Sequence, residues 1–373
     1  MIRCGLCGSE RSEVDLAYSL RREEVEAVCS ELGQPSYRAR QIWDWLYQKR
    51  VTAWSEMRNL PGALRDALAA RLSLEPLRVS ARETAPDGAA RLVVELGDGR
   101  CVEQVLIPAG RRRTVCVSSQ VGCRYGCVFC ASGQAGFVRN LEAGEIVGQV
   151  LNAARLWGDR PTHVVFMGMG EPFDNYEQVL RAVRIINDPD GLRIGARRVT
   201  LSTCGLIPGI RKLAAEGLQV ELSISLHAAD DTVRSELMPV NRRYGIDALL
   251  VGCREYTERT GRIITFEYTL VKDRNDSNTD AEALVQRLAR LQCRVNLIPL
   301  SPVQEYAGRR ATPAAARHFA KILADAGINA TLRHSKGADV QAACGQLRLR
   351  SGLRPQPKSE VGSRKSEVEN SPK

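Results

Sequence analysis

Residues 114–130, TVCVSSQVGCRYGCVFC, decide how the rest of the chain is read. The run opens as a β-rich apolar segment, turns polar at Ser118-Ser119-Gln120, and then sets Cys123, Cys127 and Cys130 in a short loop. Barrels of alternating strands and helices gather their chemistry at the C-terminal ends of strands. The same relation recurs downstream. Strands are expected at 114–118, 163–167, 198–202, 220–225, 263–269 and 294–299, with helical stretches between several of them. Gly170-Glu171 follow the second, Ser202 ends the third, His227 follows the fourth, and Asn296 to Ser301 lie at the end of the sixth. Strands joined by helical crossovers imply a parallel sheet. An open doubly wound sheet would also satisfy the alternation, but the strand-end residues favour an α/β fold with a partial, TIM-like (β/α)6 barrel.

Upstream, residues 20–75 read as helical. Val25, Val28, Cys29 and Leu32 share one face, ended by Gly33; Ser36 can cap a second helix, and Pro61 can open a third carrying Leu64, Leu68 and Leu72. The stretch RLVVELGDGRCVEQVLIP, 91–108, has two β-rich runs around Gly97-Asp98-Gly99, a hairpin signal. After the cysteines, Ile146, Val147, Val150, Leu151 and Ala154 form one apolar helical stripe. The expected organisation is an N-terminal helical accessory domain over 1–85, a β-hairpin linker over 86–112, a core domain over 113–347 and a disordered basic tail over 348–373. Cys4 and Cys7 form a CxxC pair with no second pair of zinc ligands nearby.

The 373 residues are 44% hydrophobic and 26% charged, ordinary for a globular chain with a proper core. No apolar run is long enough for a membrane span, and the N-terminus lacks a signal-peptide pattern, so a cytoplasmic chain is expected. In a reducing compartment, twelve cysteines point to metal or catalytic roles rather than a disulfide scaffold. Cys29, Cys204, Cys253 and Cys293 sit in apolar patterns and read as core packing, as does Cys101 in its strand. The net charge of +10 suits a polyanionic partner, a weak signal by itself.

The strongest chemical signal is CxxxCxxC. Four-iron clusters usually take four thiolates. Three in one loop would leave one iron open to the amino and carboxylate groups of S-adenosylmethionine (SAM). Reductive cleavage of the bound sulfonium then gives a 5′-deoxyadenosyl radical. Phe129, beside the last cysteine, suits a shield. Zinc instead favours CxxC pairs and four ligands.

The chain resembles the RlmN/Cfr family of radical-SAM rRNA methyltransferases, nearer to RlmN. CVSSQVGCRYGCVFCASGQAGFVRNL, VVFMGMGEP, LSTCGLIPGI, SISLHAADDTVRSELMPVN, ITFEYTLVKDRNDS, VNLIP and DVQAACGQL look like the family's blocks, in its order. YRARQIWDWLYQKR and MRNLPGALR resemble its N-terminal accessory domain. The resemblance runs from about residue 20 to 347.

It implies one [4Fe-4S] cluster on Cys123, Cys127 and Cys130, and SAM contacts from Gly170, Glu171, Ser202, Ser225, Leu226 and His227. Ser301 stands where the family usually has a SAM-contacting asparagine; it can hydrogen-bond but reaches less far. Ser132 conservatively replaces a frequent threonine. Cys344 corresponds to the cysteine methylated as an intermediate, Cys116 to its transient disulfide partner, and Glu103 to the proton acceptor. Such a set answers a chemical difficulty: adenine C2 and C8 are electron-poor and do not attack the methyl of SAM, whereas a thiolate does. The S-methyl group on Cys344 can then be turned into a carbon radical that adds to the base, and Cys116 releases the product by thiol–disulfide exchange.

The implied product is 2-methyladenosine in large-subunit 23S rRNA, and in tRNA, at two SAM per turnover, with flavodoxin as the family's usual electron donor and no membrane involvement. The alternatives are Cfr-like C8 methylation of the same adenosine, and a non-catalytic iron–sulfur RNA-binding factor, which would need neither Cys344 nor Cys116. Arg111, Arg112, Arg113, Arg139, Lys49 and Arg50 are the expected phosphate-facing surface.

Overall fold

The computed structural model describes residues 15–333 and 336–348. Cys4, Cys7 and all but the first residue of the expected basic tail lie outside the described residues.

The N-terminal part holds α1 (Arg22–Glu31), α2 (Tyr37–Asp44) and α3 (Gly62–Ala69), tied by a two-residue parallel pairing of β1 (Asp15–Leu16) with β2 (Leu72–Ser73). Gly33, at φ 65°, stops α1 as its sequence position predicts. Ser36 stands at the start of α2, but its side chain makes no capping bond. Val25, Cys29, Ile42, Leu64 and Leu68 bury the inner faces of these helices. Polar clasps fasten the module to the core domain. Arg181 grips Glu24 with two bonds, of 2.6 and 2.7 Å, and Trp43 Nε1 donates to Asp188 at 3.0 Å.

The main sheet has ten strands in the order β14-β13-β12-β11-β10-β9-β6-β5-β4-β3. Its parallel part comprises β6 (Arg112–Cys116), β9 (His163–Phe166), β10 (Val199–Thr203), β11 (Glu221–Ser225), β12 (Ile264–Leu270), β13 (Cys293–Pro299) and β14 (Asn329–Leu332). All six expected strands form, and β14 adds a seventh that the short, mixed NATL run did not announce. The ladder is open, running from β14 at one edge to β3 at the other. The partial barrel is therefore present.

The hairpin also forms, as β4 (Ala90–Glu95) and β5 (Cys101–Ala109). It is not a free-standing linker, however. β5 pairs antiparallel with β6, and β3 (Arg78–Thr84) pairs with β4, so the segment extends the core sheet itself. β3 was hidden because RVSARET lies at an exposed edge and carries no apolar run.

Between β6 and β9 the chain makes the cysteine loop, flanked by antiparallel β7 (Gln120–Gly122) and β8 (Phe137–Asn140) with α4 (Ala131–Gln134) between them. Then comes α5 (Ala143–Trp157), whose predicted stripe is buried along with nearly every other residue from 143 to 154. A helix apolar on one face only would not sit this deep. The N-terminal segment covers its outer face. A Cβ on Gly144 would lie 2.5 Å from Ser19 Oγ, and one on Gly148 would lie 2.9 Å from Leu77. The remaining crossovers are α6 (Tyr176–Asn187), α7 (Ile207–Ala215), α8 (Asp231–Leu237) with α9 (Ile246–Thr260), α10 (Asn278–Leu288) and α11 (Pro313–Asp325).

Candidate active site

A cavity of about 160 Å³ opens at the C-terminal ends of the parallel strands. Cys123, Cys127 and Cys130 line one wall; Gly170 and Glu171, beyond β9, and Ser202 of β10 line the next. Ser225 and His227 come from the end of β11, Glu267 from β12, Ser301 from beyond β13, and Cys344 from the C-terminal segment.

The three loop cysteines fit an iron–sulfur cluster better than a single ion. Among the described residues no three His, Cys, Asp or Glu side chains converge as one metal ion requires. A multi-iron cube takes its thiolates at separate corners. Burial pushes the Cys123 thiol up to about 12 and raises Cys127 and Cys130 as well. Thiolates at these positions therefore need a cationic centre to hold them ionised. Tyr125, Val128 and Phe129 pack with Leu237, Met238 and Val240 into an apolar shell around the loop, which keeps water off.

Glu171 is 4% exposed, and its carboxylate is spent on the backbone, accepting from Phe173 N–H at 2.9 Å and Cys204 N–H at 2.7 Å. It thus ties the loop after β9 to the loop after β10. Gly170 has φ 99°, and a Cβ there would stand 2.6 Å from Gln120; only glycine allows this approach.

His227 is also left-handed, at φ 58°. Its Nδ1 accepts from Thr269 N–H at 2.9 Å, its carbonyl accepts from Asn275 at 2.6 Å, and its ring meets Phe129 edge-on at 4.8 Å. Burial, with Arg234 nearby, pushes the imidazole down to about 3. The ring is neutral and carries its proton on Nε2. Leu226 differs from its neighbours: it is fully buried and does not line the cavity. Its backbone N–H donates to Glu267 O at 3.0 Å, and its carbonyl accepts from Arg234 Nε at 3.0 Å.

The segment 336–348 delivers Cys344 by docking on the cysteine loop. Ala131 N–H donates to Gly345 O at 2.7 Å, and Ser132 Oγ donates to Leu347 O at 2.5 Å. Gly345, at φ 82°, comes so near that a Cβ would lie 2.9 Å from Phe129 O.

Cys116 and Glu103 sit behind the cavity wall rather than on it. Both project from the same face of the sheet, because Val105 pairs with Cys116 and lies two residues from Glu103. Cys116 is buried, which pushes its thiol up to about 12, and Cys344 is close enough to add to that rise. Both thiols are free. Glu103 accepts from Arg91 Nη1 at 2.6 Å and from Arg348 N–H at 3.0 Å, so its carboxylate anchors the end of the Cys344 segment.

Among the cysteines expected to be packing, Cys29 and Cys253 are core, Cys293 is half-buried against the core, and Cys204 is buried in the apolar shell of the loop while also lining the cavity; Cys101 is half-buried. Arg139 is 13% exposed and occupied by Asp98 and Glu145, and Arg50 donates to Ala154 O at the end of α5. Neither faces outward for phosphate. Arg113 pairs with Asp159, and Lys49 stacks on Trp45 at 3.6 Å.

Two residues escaped the sequence reading. Arg234 is fully buried and donates to the carbonyls of Cys204, Ser225, Leu226 and Tyr244 and to Asn241, locking the loops after β10 and β11. Glu267 lies inside the barrel on β12. Neither stood out locally: Glu267 alternates with Thr265 and Thr269 on its strand face, and Arg234 shares a short helix with Asp231, Ser235 and Glu236.

The chain matches known proteins along most of its length. The family model described as the radical SAM superfamily covers residues 117–288, and that of the ribosomal RNA large subunit methyltransferase N-terminal domain covers 15–74. A crystal structure of a radical SAM methyltransferase from Sphaerobacter thermophilus superposes with a TM-score of 0.86 at 47% identity, over 90% of this chain and 99% of that one. A probable dual-specificity RNA methyltransferase RlmN from Moorella thermoacetica is 47% identical, over 91% of this chain and 98% of its own length. The relative of the same name from Geobacillus kaustophilus is 43% identical, over 92% and 95%. The fold and its cysteine loop are thus those of a radical-SAM protein. Within that class, the chain belongs to the RlmN family. Membership implies a [4Fe-4S] cluster and SAM.

Proposed function

We propose that this protein methylates C2 of adenosine in 23S large-subunit rRNA, and also in tRNA, through an S-methyl group carried on Cys344. The observation that carries the reading is that Cys344 lines the same cavity as Cys123, Cys127 and Cys130. The names of the relatives, dual-specificity RNA methyltransferases, support an RNA substrate of two kinds. In this reading the three loop cysteines hold the cluster. Ser202, Ser225, His227 and Ser301 hold SAM against it, with the loop of Gly170 and Glu171, and Leu226 serves through its backbone.

When bound, the cluster and SAM supply a transferable methyl group and a hydrogen-abstracting radical. The protein's part is positional and nucleophilic. Cys344 accepts the methyl group and becomes joined through that carbon to the base. Glu103 or Cys116, on the sheet face behind it, takes the C2 proton. Cys116 then attacks the Cys344 sulfur as a thiolate; the C–S electron pair leaves with the linking carbon, which takes up a proton to become the methyl of methyladenosine, and the disulfide that closes must be reduced before the next cycle. That need for reduction, together with a reduced cluster, suits cytoplasm and an external donor such as flavodoxin. The described part of 1–85 acts as an RNA-docking module beside the core of 113–347, with the 86–112 hairpin built into the core sheet.

The test is Cys116→Ala, reconstituted anaerobically and given SAM and unmodified rRNA fragments. It should accumulate a covalent protein–RNA adduct through Cys344, and the wild type should yield 2-methyladenosine by nucleoside mass spectrometry. Absence of both the adduct and any label on Cys344 refutes the mechanism; 8-methyladenosine would refute the regiochemistry alone.

A further inference from the structure

Glu267 projects from the middle of β12 into the barrel and is 4% exposed. Its Oε1 accepts from Asn296 Nδ2 at 3.0 Å and from Ser223 Oγ at 3.3 Å. Its Oε2 is buried and has no hydrogen-bond donor among the described residues. Among the described residues the nearest cation, Arg333 Nη1, stands 3.8 Å away, an ion-pair distance too long for a hydrogen bond. Buried acceptors are almost always satisfied, and an exception inside a reaction cavity marks a place where something else donates.

Three observations narrow the donor. Glu267 lines the same cavity as Cys344. Arg333 stands beside Oε2, and Cys344 is close enough for both Arg333 and Glu267 to act on its thiol, so the open oxygen belongs to the Cys344 part of the cavity. Finally, the residue is a carboxyl group whose ionised form, against the upward push of burial, is favoured by Arg333, Asn296 and Ser223. A carboxylate accepts from an exocyclic amine and repels a carbonyl oxygen at the same position. An adenine carried to Cys344 presents its 6-amino group as such a donor, whereas guanine or hypoxanthine presents an oxygen there.

We propose that Glu267 Oε2 binds the 6-amino group of the target adenine and is the residue that selects adenine over 6-oxopurines. This rests on the RNA-methylating reading above and extends it to base selection. Glu267 is a substrate-binding residue, held in place by Asn296, Ser223 and Arg333 and taking no part in bond making.

The test pairs a protein change with a base change. In the Cys116→Ala background, rRNA fragments carrying adenosine or purine riboside, which lacks the amine, are offered at the target position. Covalent trapping is measured for each. The parent should trap adenosine roughly 10- to 100-fold better than purine riboside, the range for losing one hydrogen bond to a charged group. With Glu267→Gln added, the ratio should fall toward one, and Glu267→Asp, which withdraws the charge by one methylene, should lie between. SAM affinity of the reconstituted variants should stay within about 2-fold of the parent.

An unchanged adenosine-to-purine ratio in both Glu267 variants overturns the assignment. So does a SAM affinity lowered by 10-fold or more, which would place the carboxylate on the cosubstrate instead. If the Glu267→Gln protein does not accumulate, the Asp variant carries the comparison. Failure of the parent to trap any RNA would refute the underlying reading rather than the base contact, and the two failures are distinct.

Discussion

Replacing His227 with asparagine isolates the ionisation of a single buried ring. The substitution is chosen from the geometry. Asparagine tolerates the left-handed backbone at φ 58°, and its side-chain oxygen can accept from Thr269 N–H as Nδ1 does. What it lacks is a titratable group. The imidazole lies at about 3 in the fold against an ordinary value of 6.5, so the fold favours the neutral ring. This contribution is complete above pH 6.5 and is lost as pH falls from 6.5 toward 3, because only the unfolded chain binds the proton in that window. Between pH 7 and pH 5 the loss amounts to about 2 kcal/mol, at about 1.4 kcal/mol per pH unit once the unfolded ring is charged. His227 is 5% exposed, so solvent screening does not reduce the figure appreciably. Urea unfolding under anaerobic conditions at a series of pH values should give a wild-type stability curve steeper than the variant's by one proton over this range. Parallel curves would refute the neutral, buried ring, whatever the variant's absolute stability.

Two further substitutions test how the site is held. Arg91 and Glu103 each have side chains 2% exposed and joined at 2.6 Å; Arg91→Met leaves the carboxylate buried without its cation and should cost about 3–5 kcal/mol in denaturant unfolding. A loss below about 1 kcal/mol would mean the pair is not buried as described. Gly345→Ala forces a Cβ against Phe129 O at a left-handed position, and should cost about 1–3 kcal/mol locally. The Cys344 segment should then lift from the cysteine loop and alkylate faster with iodoacetamide; an unchanged alkylation rate would contradict the docking.

The barrel was legible because its strands are β-branched runs, and because glycines, cysteines, serines and a histidine stand just past their ends. β14 and β3 were not legible: NATL is too short to show a period, and RVSARET owes its strand to pairing with β4. The cavity residues were found mostly through motifs and strand position. Glu267 and Arg234 were missed because a lone charge in a strand or helix reads as solvent-facing until its neighbours are known. Arg139 and Arg50 erred in the opposite direction. Both look like surface cations in sequence, yet Arg139 is taken up by two carboxylates and Arg50 by a helix end. The tie between Glu103 and Arg348 spans 245 residues, a separation no local pattern can report.

That span has a consequence for biosynthesis. Gly337 reaches Asp87 across 250 positions, and Leu347 reaches Ser132 across 215. At about 5–20 residues per second, Glu103 emerges from the ribosome on the order of 12–50 s before its C-terminal partner exists. The cysteine loop emerges early, and Cys344, the thiol proposed to carry carbon, emerges late. A nascent chain therefore passes through an interval in which the cysteine loop is complete while Cys344 is still missing, and a message truncated before Cys344 would fix it there.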